Sequence, residues 1–134
     1  MLKEILSISG KPGLYKQISQ GKNMIIVESL SDGKRMPTFL RDKVVSLGDI
    51  QIFTNTGEIA LAEVFENISK KENAQVCPID NKADNDTLRN YMQEVLPEYD
   101  QDRVYPSDMR KIFLWYNILI NKGITDFELP EDNS

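Results

Sequence analysis

Apolar positions divide residues 13–39 into three short runs that are typical of β-strands. Two turn-forming stretches separate the runs, Gln20–Asn23 and Ser31–Lys34. The second stretch contains Asp32-Gly33, which favours a type I′ turn because both central residues of that turn need positive φ. The middle run, Met24–Val27, is apolar without alternation, which indicates a strand covered on both faces. Residues 13–39 are therefore predicted to form a three-stranded antiparallel meander.

The segments beside this meander are shorter and less regular. Residues 2–8 suit either a strand or a short helical turn, and their pattern favours neither. Asp42 is placed to cap a helical turn over residues 43–47, and Gly48 is placed to end it, because glycine readily adopts the left-handed conformation after a helix. We therefore expect one helical turn between the meander and the next strand.

A strand at residues 49–54 and a helix at about 61–71 complete the predicted N-terminal region. The helix carries apolar side chains at helical spacing, so it presents one apolar stripe to the strands. Several short strands followed by a closing helix are typical of a small barrel. The predicted fold class is α+β, with a small antiparallel SH3-like β-barrel or a bent sheet in this region.

The C-terminal half follows a different pattern, in which polar residues without periodicity, including Pro78, come before two helices. Helices are predicted at 86–96 and 108–122, and together they form a two-helix appendage. The acidic residues that follow are expected to fray. The predicted units are a β-rich domain at 1–72, a linker at 73–85, a helical hairpin at 86–123 and an acidic tail at 124–134.

Helix 108–122 is apolar on more than one side. Leu114 and Ile118 fall opposite the main apolar stripe, and Trp115 lies on the flank of that stripe. A helix with two apolar sides either packs between two parts of its own chain or contacts a partner. Leu114, Trp115 and Ile118 are therefore predicted to bind a protein partner or a second copy of the chain. The alternative is internal packing between helix 86–96 and the β-rich domain.

The side chains available for catalysis are limited. The chain has no histidine, which removes the commonest general base and the commonest metal ligand. Its single cysteine, Cys77, has no basic residue close in sequence that would activate the thiol. Phosphate-loop, nucleophile-elbow and EF-hand motifs are absent or incomplete. We therefore predict a protein that is not an enzyme and that uses no cofactor and no metal.

Three features of the sequence favour a cytoplasmic location. No apolar run approaches the roughly 20 residues that span a bilayer. The N-terminus contains the acidic Glu4 and lacks the apolar centre of a secretory signal. A single cysteine also excludes an internal disulfide, which is the usual arrangement in a reducing compartment. We expect a cytoplasmic protein without membrane contact.

Charge is unevenly distributed along the chain. The net charge is −5, yet residues 1–49 hold eight basic and five acidic side chains, so the acidic excess lies in residues 50–134. A basic half that also carries aromatic residues can stack and clamp single-stranded nucleic acid. Basic residues on edge strands also protect against aggregation, which is the alternative explanation. The candidate nucleic-acid-binding residues are Tyr15, Lys16, Lys34, Arg35 and Arg41.

Several short stretches together resemble a family of small proteins from Bacteroidetes-type bacteria that is known as a domain of unknown function. The stretches are Leu2–Leu6, Ser9–Tyr15, Asp32–Arg35, Ser46–Ile50, Arg103–Tyr105 and Trp115–Asn117. The resemblance covers nearly the whole chain. It implies a bacterial cytoplasmic protein with an N-terminal β-rich part and a C-terminal helical part. It implies no activity, cofactor or catalytic residue.

The function that these patterns favour is that of a non-catalytic binding or adaptor protein acting through protein–protein contacts. The two apolar sides of helix 108–122 and the overall acidity are the basis of this prediction. The partner is either another protein or a second copy of the chain. The alternative is binding of RNA or single-stranded nucleic acid by the basic β-rich half.

Overall fold

The polypeptide forms a five-stranded antiparallel sheet, a two-stranded hairpin and three α-helices in the computed structural model, which describes residues 2–39, 42–80, 82–125 and 127. The strands are β1 (Ile5–Ile8), β2 (Lys11–Gly21), β3 (Met24–Ser29), β4 (Arg35–Phe39), β5 (Val44–Ser46), β6 (Gln51–Thr54) and β7 (Gly57–Ala60), and the helices are α1 (Leu61–Glu72), α2 (Asn85–Val95) and α3 (Pro106–Asn121). The three α-helices lie close to their predicted positions. None of the helices in the described ranges is both long and apolar enough to cross a membrane.

The predicted meander is confirmed as β2, β3 and β4, which pair in antiparallel order. The type I′ turn at Asp32-Gly33 is wrong, because Gly33 has positive φ (74°) and Asp32 does not. Instead, Ser29 and Lys34 close a longer turn, in which the Ser29 amide donates to the Lys34 carbonyl over 2.8 Å. The Asp32 carboxylate accepts a hydrogen bond from the Lys34 amide over 2.9 Å, and this hydrogen bond between two turn residues stabilises the turn.

The five-stranded sheet is open, with the order β4-β3-β2-β1-β5. The prediction of an SH3-like barrel is therefore not confirmed, since the edge strands β4 and β5 do not pair to close the sheet. Both edges disfavour closure: β4 contains Pro37, which cannot donate a ladder hydrogen bond, and β5 has only three residues. Register shifts between Leu6 and Ile8 and between Gln17 and Ser19 interrupt the ladders, and such bulges bend strands.

The predicted helical turn at residues 43–47 is wrong. The segment forms β5, which pairs with β1, because the β-branched Val44 and Val45 suit a strand that gains ladder hydrogen bonds. A short 3₁₀ turn begins only at Leu47, and Ser46 caps it by accepting a hydrogen bond from the Gly48 amide. The Asp42 carboxylate accepts from the Phe39 amide instead, so it does not cap this turn.

One hydrophobic core joins the sheet to the helices. Leu14 from β2, Phe65 from α1, Met92 from α2 and Tyr116 from α3 are buried in a single cluster. Helix α3 contacts both β2 and α2. The predicted two-helix appendage is not confirmed, because α2 and α3 bury their apolar stripes in the same core as the sheet. The predicted unit boundaries at 72, 85 and 123 stay a prediction.

Helix α2 begins after Asp84, whose carboxylate accepts a hydrogen bond from the Thr87 amide over 2.8 Å. This hydrogen bond holds the pKa of Asp84 below its ordinary value. A lowered pKa means that the carboxylate stabilises the fold above the unfolded-state pKa, and that this contribution is lost as the pH falls through the folded-state pKa.

We expect the Asp84→Asn variant to be less sensitive to acid than the wild type, because asparagine can cap the helix without titrating. The urea midpoint of each protein should be measured at about pH 5 and about pH 3, on either side of the ordinary aspartate pKa. The fall in midpoint should be smaller for the variant. Equal falls in the two proteins would show that Asp84 does not contribute to acid sensitivity.

Candidate binding groove

The three partner-binding candidates on α3 lie in three different surface depressions. Leu114 is 39% exposed and lines a depression with segment 77–80. Ile118 is half-buried and lines another depression beside the turn that follows β3. Trp115 is half-buried and lines a groove between α3 and β6. The three side chains therefore line three different depressions, and their role in binding a partner stays a prediction.

Part of the outer side of α3 is covered by residues 77–80 and 83 of the chain itself. The Asn117 side-chain oxygen accepts a hydrogen bond from the Cys77 amide over 2.8 Å, and its side-chain nitrogen donates to the carbonyls of Cys77 and Ile79. Arg110 donates to the Ala83 carbonyl over 2.9 Å. Polar residues on this side of α3 thus hold the segment between α1 and α2 in place. Packing within the chain therefore covers part of the α3 side that lies opposite the main apolar stripe.

The nucleic-acid candidates are spread over both faces of the sheet. Tyr15 is only 8% exposed and packs with Ile8 and Val27 on the face away from the main core. Lys16 lies on the opposite face, where the strand register places Glu28 between Lys16 and Arg35. The turn residue Lys34 and the strand residue Arg35 are exposed. Arg41 lies outside the described residues.

A groove of about 240 Å³ separates β6 from the first turns of α3. The groove combines an apolar floor with two aromatic side chains and with cations at the rim. Phe53, which is 37% exposed, comes from β6, and Trp115 comes from α3. The residues that line the groove are Ile50, Gln51, Ile52, Phe53, Arg103, Val104, Asp108, Lys111, Ile112 and Trp115.

The start of α3 is fixed by its own sequence, and this positions one wall of the groove. Pro106 occupies the first turn, where its missing amide hydrogen costs nothing. The Asp108 carboxylate accepts a hydrogen bond from the Tyr105 amide over 3.0 Å. Lys111 and Trp115 are four residues apart, so they project from the same side of the helix as the groove.

The outer edge of β6 is partly paired by the segment that leads into α3. Tyr99 forms an antiparallel bridge with Thr54. The Asn55 amide donates to the Glu98 carbonyl over 2.9 Å, and the Asp100 amide donates to the Phe53 carbonyl over 3.0 Å. The groove begins where this short pairing ends.

The charged side chains at the groove differ in whether they form an ion pair. The Arg103 guanidinium lies 4.7 Å from the centre of the Phe53 ring, and its Nε is 3.0 Å from an oxygen of the Asp100 carboxylate. A hydrogen bond from the Asp102 amide, aided by Arg103, holds the pKa of Asp100 below its ordinary value. Lys111 is exposed and has no ion pair among the described residues.

Side chains that commonly act in catalysis or metal binding are not clustered at this groove. Cys77 is buried in the core away from it, and burial raises the pKa of the Cys77 thiol. The described residues contain no group of three or more histidine, cysteine or acidic side chains that could hold a metal ion. Apolar floor, aromatic walls and a free cation suit non-covalent binding.

Sequence reasoning missed most of this groove. It placed Phe53 in a strand, and it named Arg103–Tyr105 only for the family resemblance. The available signal was the alternation in β6, where Ile52 and Thr54 are buried and Phe53 is exposed. An aromatic residue on the exposed side of a short strand marks a surface that can bind. Of the residues that line this groove, Trp115 is the one that the sequence pattern of α3 predicted for partner binding.

Comparisons with known proteins agree on the kind of protein and assign no activity. Residues 50–119, which contain the whole groove, match the family described as Domain of unknown function (DUF6852), and residues 2–47 match Domain of unknown function (DUF5606). A protein from Bacteroides vulgatus, whose structure was determined in solution by NMR, is 56% identical with a TM-score of 0.79. The similarity covers 95% of this chain and 91% of that chain. No curated protein matches.

Proposed function

Since the chain belongs to the Bacteroidetes-type family that joins DUF5606 to DUF6852, we propose that it is a non-catalytic binding protein that captures a protein segment in the groove between β6 and α3. The observation that carries this proposal is that Phe53 and Trp115 line one groove together with an apolar floor. Aromatic side chains next to small apolar pockets dominate the energetics of protein contacts.

The groove has the composition of a binding site rather than of an incidental gap. Val104 and Ile112 form a buried floor, so an entering apolar side chain would be removed from water. Phe53 and Trp115 keep part of their rings accessible at the walls. The rim carries polar and charged groups, which is the usual arrangement around an apolar contact. This supports recognition of another polypeptide.

A selection experiment tests the proposal. A displayed library of random peptides should be enriched against the wild-type protein and, in parallel, against the Phe53→Ala variant. We expect peptides selected on the wild type to bind Phe53→Ala at least about tenfold more weakly, since truncating an aromatic anchor typically costs 1–2 kcal/mol or more. Phe53 is partly exposed, so the variant should fold.

Phe39→Ala is the matched control, because Phe39 is an exposed phenylalanine on β4, in the other sheet. Its binding should equal that of the wild type. Equal binding by Phe53→Ala, or no enrichment above background on the wild type, would overturn the proposal.

Nucleic acid has less support as the ligand. Tyr15 is buried and is therefore not available to stack on a base, and Glu28 lies between Lys16 and Arg35. Phosphate contacts weaken steeply with salt, so a salt titration of oligonucleotide binding distinguishes this alternative from peptide binding.

A further inference from the structure

The outer edge of β6 already accepts a strand from the chain itself. Tyr99 bridges Thr54, and two backbone hydrogen bonds of 2.9 and 3.0 Å connect residues 98–100 with the β6 edge. The chain then turns away, because the amides of Arg103 and Val104 both donate to the Asp100 carbonyl. The ladder therefore stops after Phe53, although β6 continues to Gln51.

The unpaired part of this edge lies along the groove. Backbone groups of a strand alternate in direction, so those of Gln51 point to the same side as the Phe53 carbonyl, which accepts a hydrogen bond from the Asp100 amide. Gln51 is exposed. In the ranges that the structure describes, no segment pairs with Gln51 on that side. An open strand edge is a template for another strand.

We propose that the groove binds an extended peptide that adds to the outer edge of β6, with an apolar side chain beside Trp115 and a carboxylate facing Lys111. This inference rests on the proposed function and specifies the ligand. Strand addition supplies the backbone hydrogen bonds, and the groove selects the side chains. Because side chains of a strand alternate, the peptide residue opposite Ile52 points, as Ile52 does, towards the core side, where Ile112 and Trp115 lie.

Charge at the rim favours a carboxylate over a cation. The Asp108 carboxylate already accepts the Tyr105 amide, and the Asp100 carboxylate already accepts the Asp102 amide and Arg103. Lys111 is thus the groove cation without an ion pair among the described side chains, whereas the Asp108 carboxylate already has one oxygen engaged by a backbone amide. A peptide lysine at this position would face Lys111 at close range, and like charges disfavour binding.

Three synthetic peptides test this inference by ¹H–¹⁵N NMR on the full chain. The first is a short blocked peptide in which a valine and a glutamate lie two residues apart, so that both side chains point to the same side of the strand. The second has lysine in place of glutamate. The third is the glutamate peptide with N-methyl groups at alternate residues, which removes the ladder hydrogen bonds. We expect the glutamate peptide at millimolar concentration to shift the signals of Gln51, Ile52 and the Trp115 indole, and both other peptides to lose most of this effect.

A charge-reversed variant sharpens the test, because Lys111→Glu should shift the preference from the glutamate peptide to the lysine peptide. Equal binding of the two charged peptides by the wild type would overturn the carboxylate assignment. Unweakened binding of the N-methylated peptide would overturn strand addition. Neither result would contradict the proposed function, which the library selection tests separately. Absence of any shift, or concentration-dependent shifts without peptide that indicate a second copy in the groove, would overturn the inference.

Discussion

Replacing Phe127 by alanine is expected to lower the free energy of unfolding by about 3–5 kcal/mol, which is typical for removal of a fully buried aromatic ring. Phe127 has no exposed surface. Its ring lies 5.5 Å from the ring of Phe65 and 6.1 Å from that of Tyr116, measured between ring centres. The side chain therefore joins α1 to α3, and its loss leaves a cavity between them. Equilibrium urea denaturation should detect the change as a lower midpoint with a similar slope.

The Phe53→Ala variant is the control for this experiment, since it removes the same side chain from a partly exposed position in β6. Its loss should stay below about 1.5 kcal/mol, because less apolar surface is buried there. Similar losses in the two variants, or a loss within about 0.5 kcal/mol for Phe127→Ala, which is typical of surface positions, would contradict the assignment of Phe127 to the core.

Phe127 also illustrates a limit of sequence-based prediction. The tail at 124–134 was expected to fray because it is acidic and terminal, and this expectation is wrong for Phe127. Composition reports the average polarity of a segment, whereas one aromatic side chain can be buried if the fold provides a site for it. That site is formed by Phe65 and Tyr116, which come from two separate helices. Of the other tail residues, 126 and 128–134 lie outside the described ranges.

Elements whose signals are local could be predicted from the sequence. The meander and the three helices depend on turn residues, caps and periodicity within short windows. The segment at 43–47 shows where local signals fail. Asp42 and Gly48 are credible ends for a helical turn, yet pairing with β1 supplies ladder hydrogen bonds that no local window contains. Tertiary pairing decided the structure of this segment.

The candidate groove was less predictable than the fold, because its walls are far apart in the sequence. Phe53 and Trp115 line the same groove only because residues 98–100 pair with the β6 edge before the chain continues into α3. Trp115 could be selected from its place on the helix flank, whereas no sequence signal places Phe53 or Lys111 at the same groove. A surface site formed by residues far apart in the sequence depends on the topology of the fold rather than on the spacing of residues along the chain.

The segment predicted as a linker is held by a side chain of α3. Residues 73–85 are polar on average, yet Cys77 and Ile79 are buried in the main core. Asn117 satisfies the backbone of this segment by accepting the Cys77 amide and by donating to two carbonyls. A buried amide without a partner costs about 1–3 kcal/mol. The connection is therefore stabilised by specific hydrogen bonds.

We expect the Asn117→Leu variant to lose about 2–3 kcal/mol of stability, since leucine has a similar size and leaves the buried Cys77 amide without its acceptor. The cysteine also provides a direct measure of the segment's position, because its thiol is buried in the wild type and burial raises its pKa. Both effects slow reaction with a thiol reagent. The variant should therefore react faster under native conditions, because residues 77–79 open more often.

Asn121→Leu is the matched control for Asn117→Leu, as it places the same change one turn later on α3 at an exposed position. Its stability and its Cys77 reactivity should equal those of the wild type. If Asn117→Leu retained wild-type thiol reactivity, the hydrogen bonds of Asn117 would not be what holds this segment. If it reacted faster without loss of global stability, the segment would open as a local unit, because local openings can have smaller free energies than global unfolding.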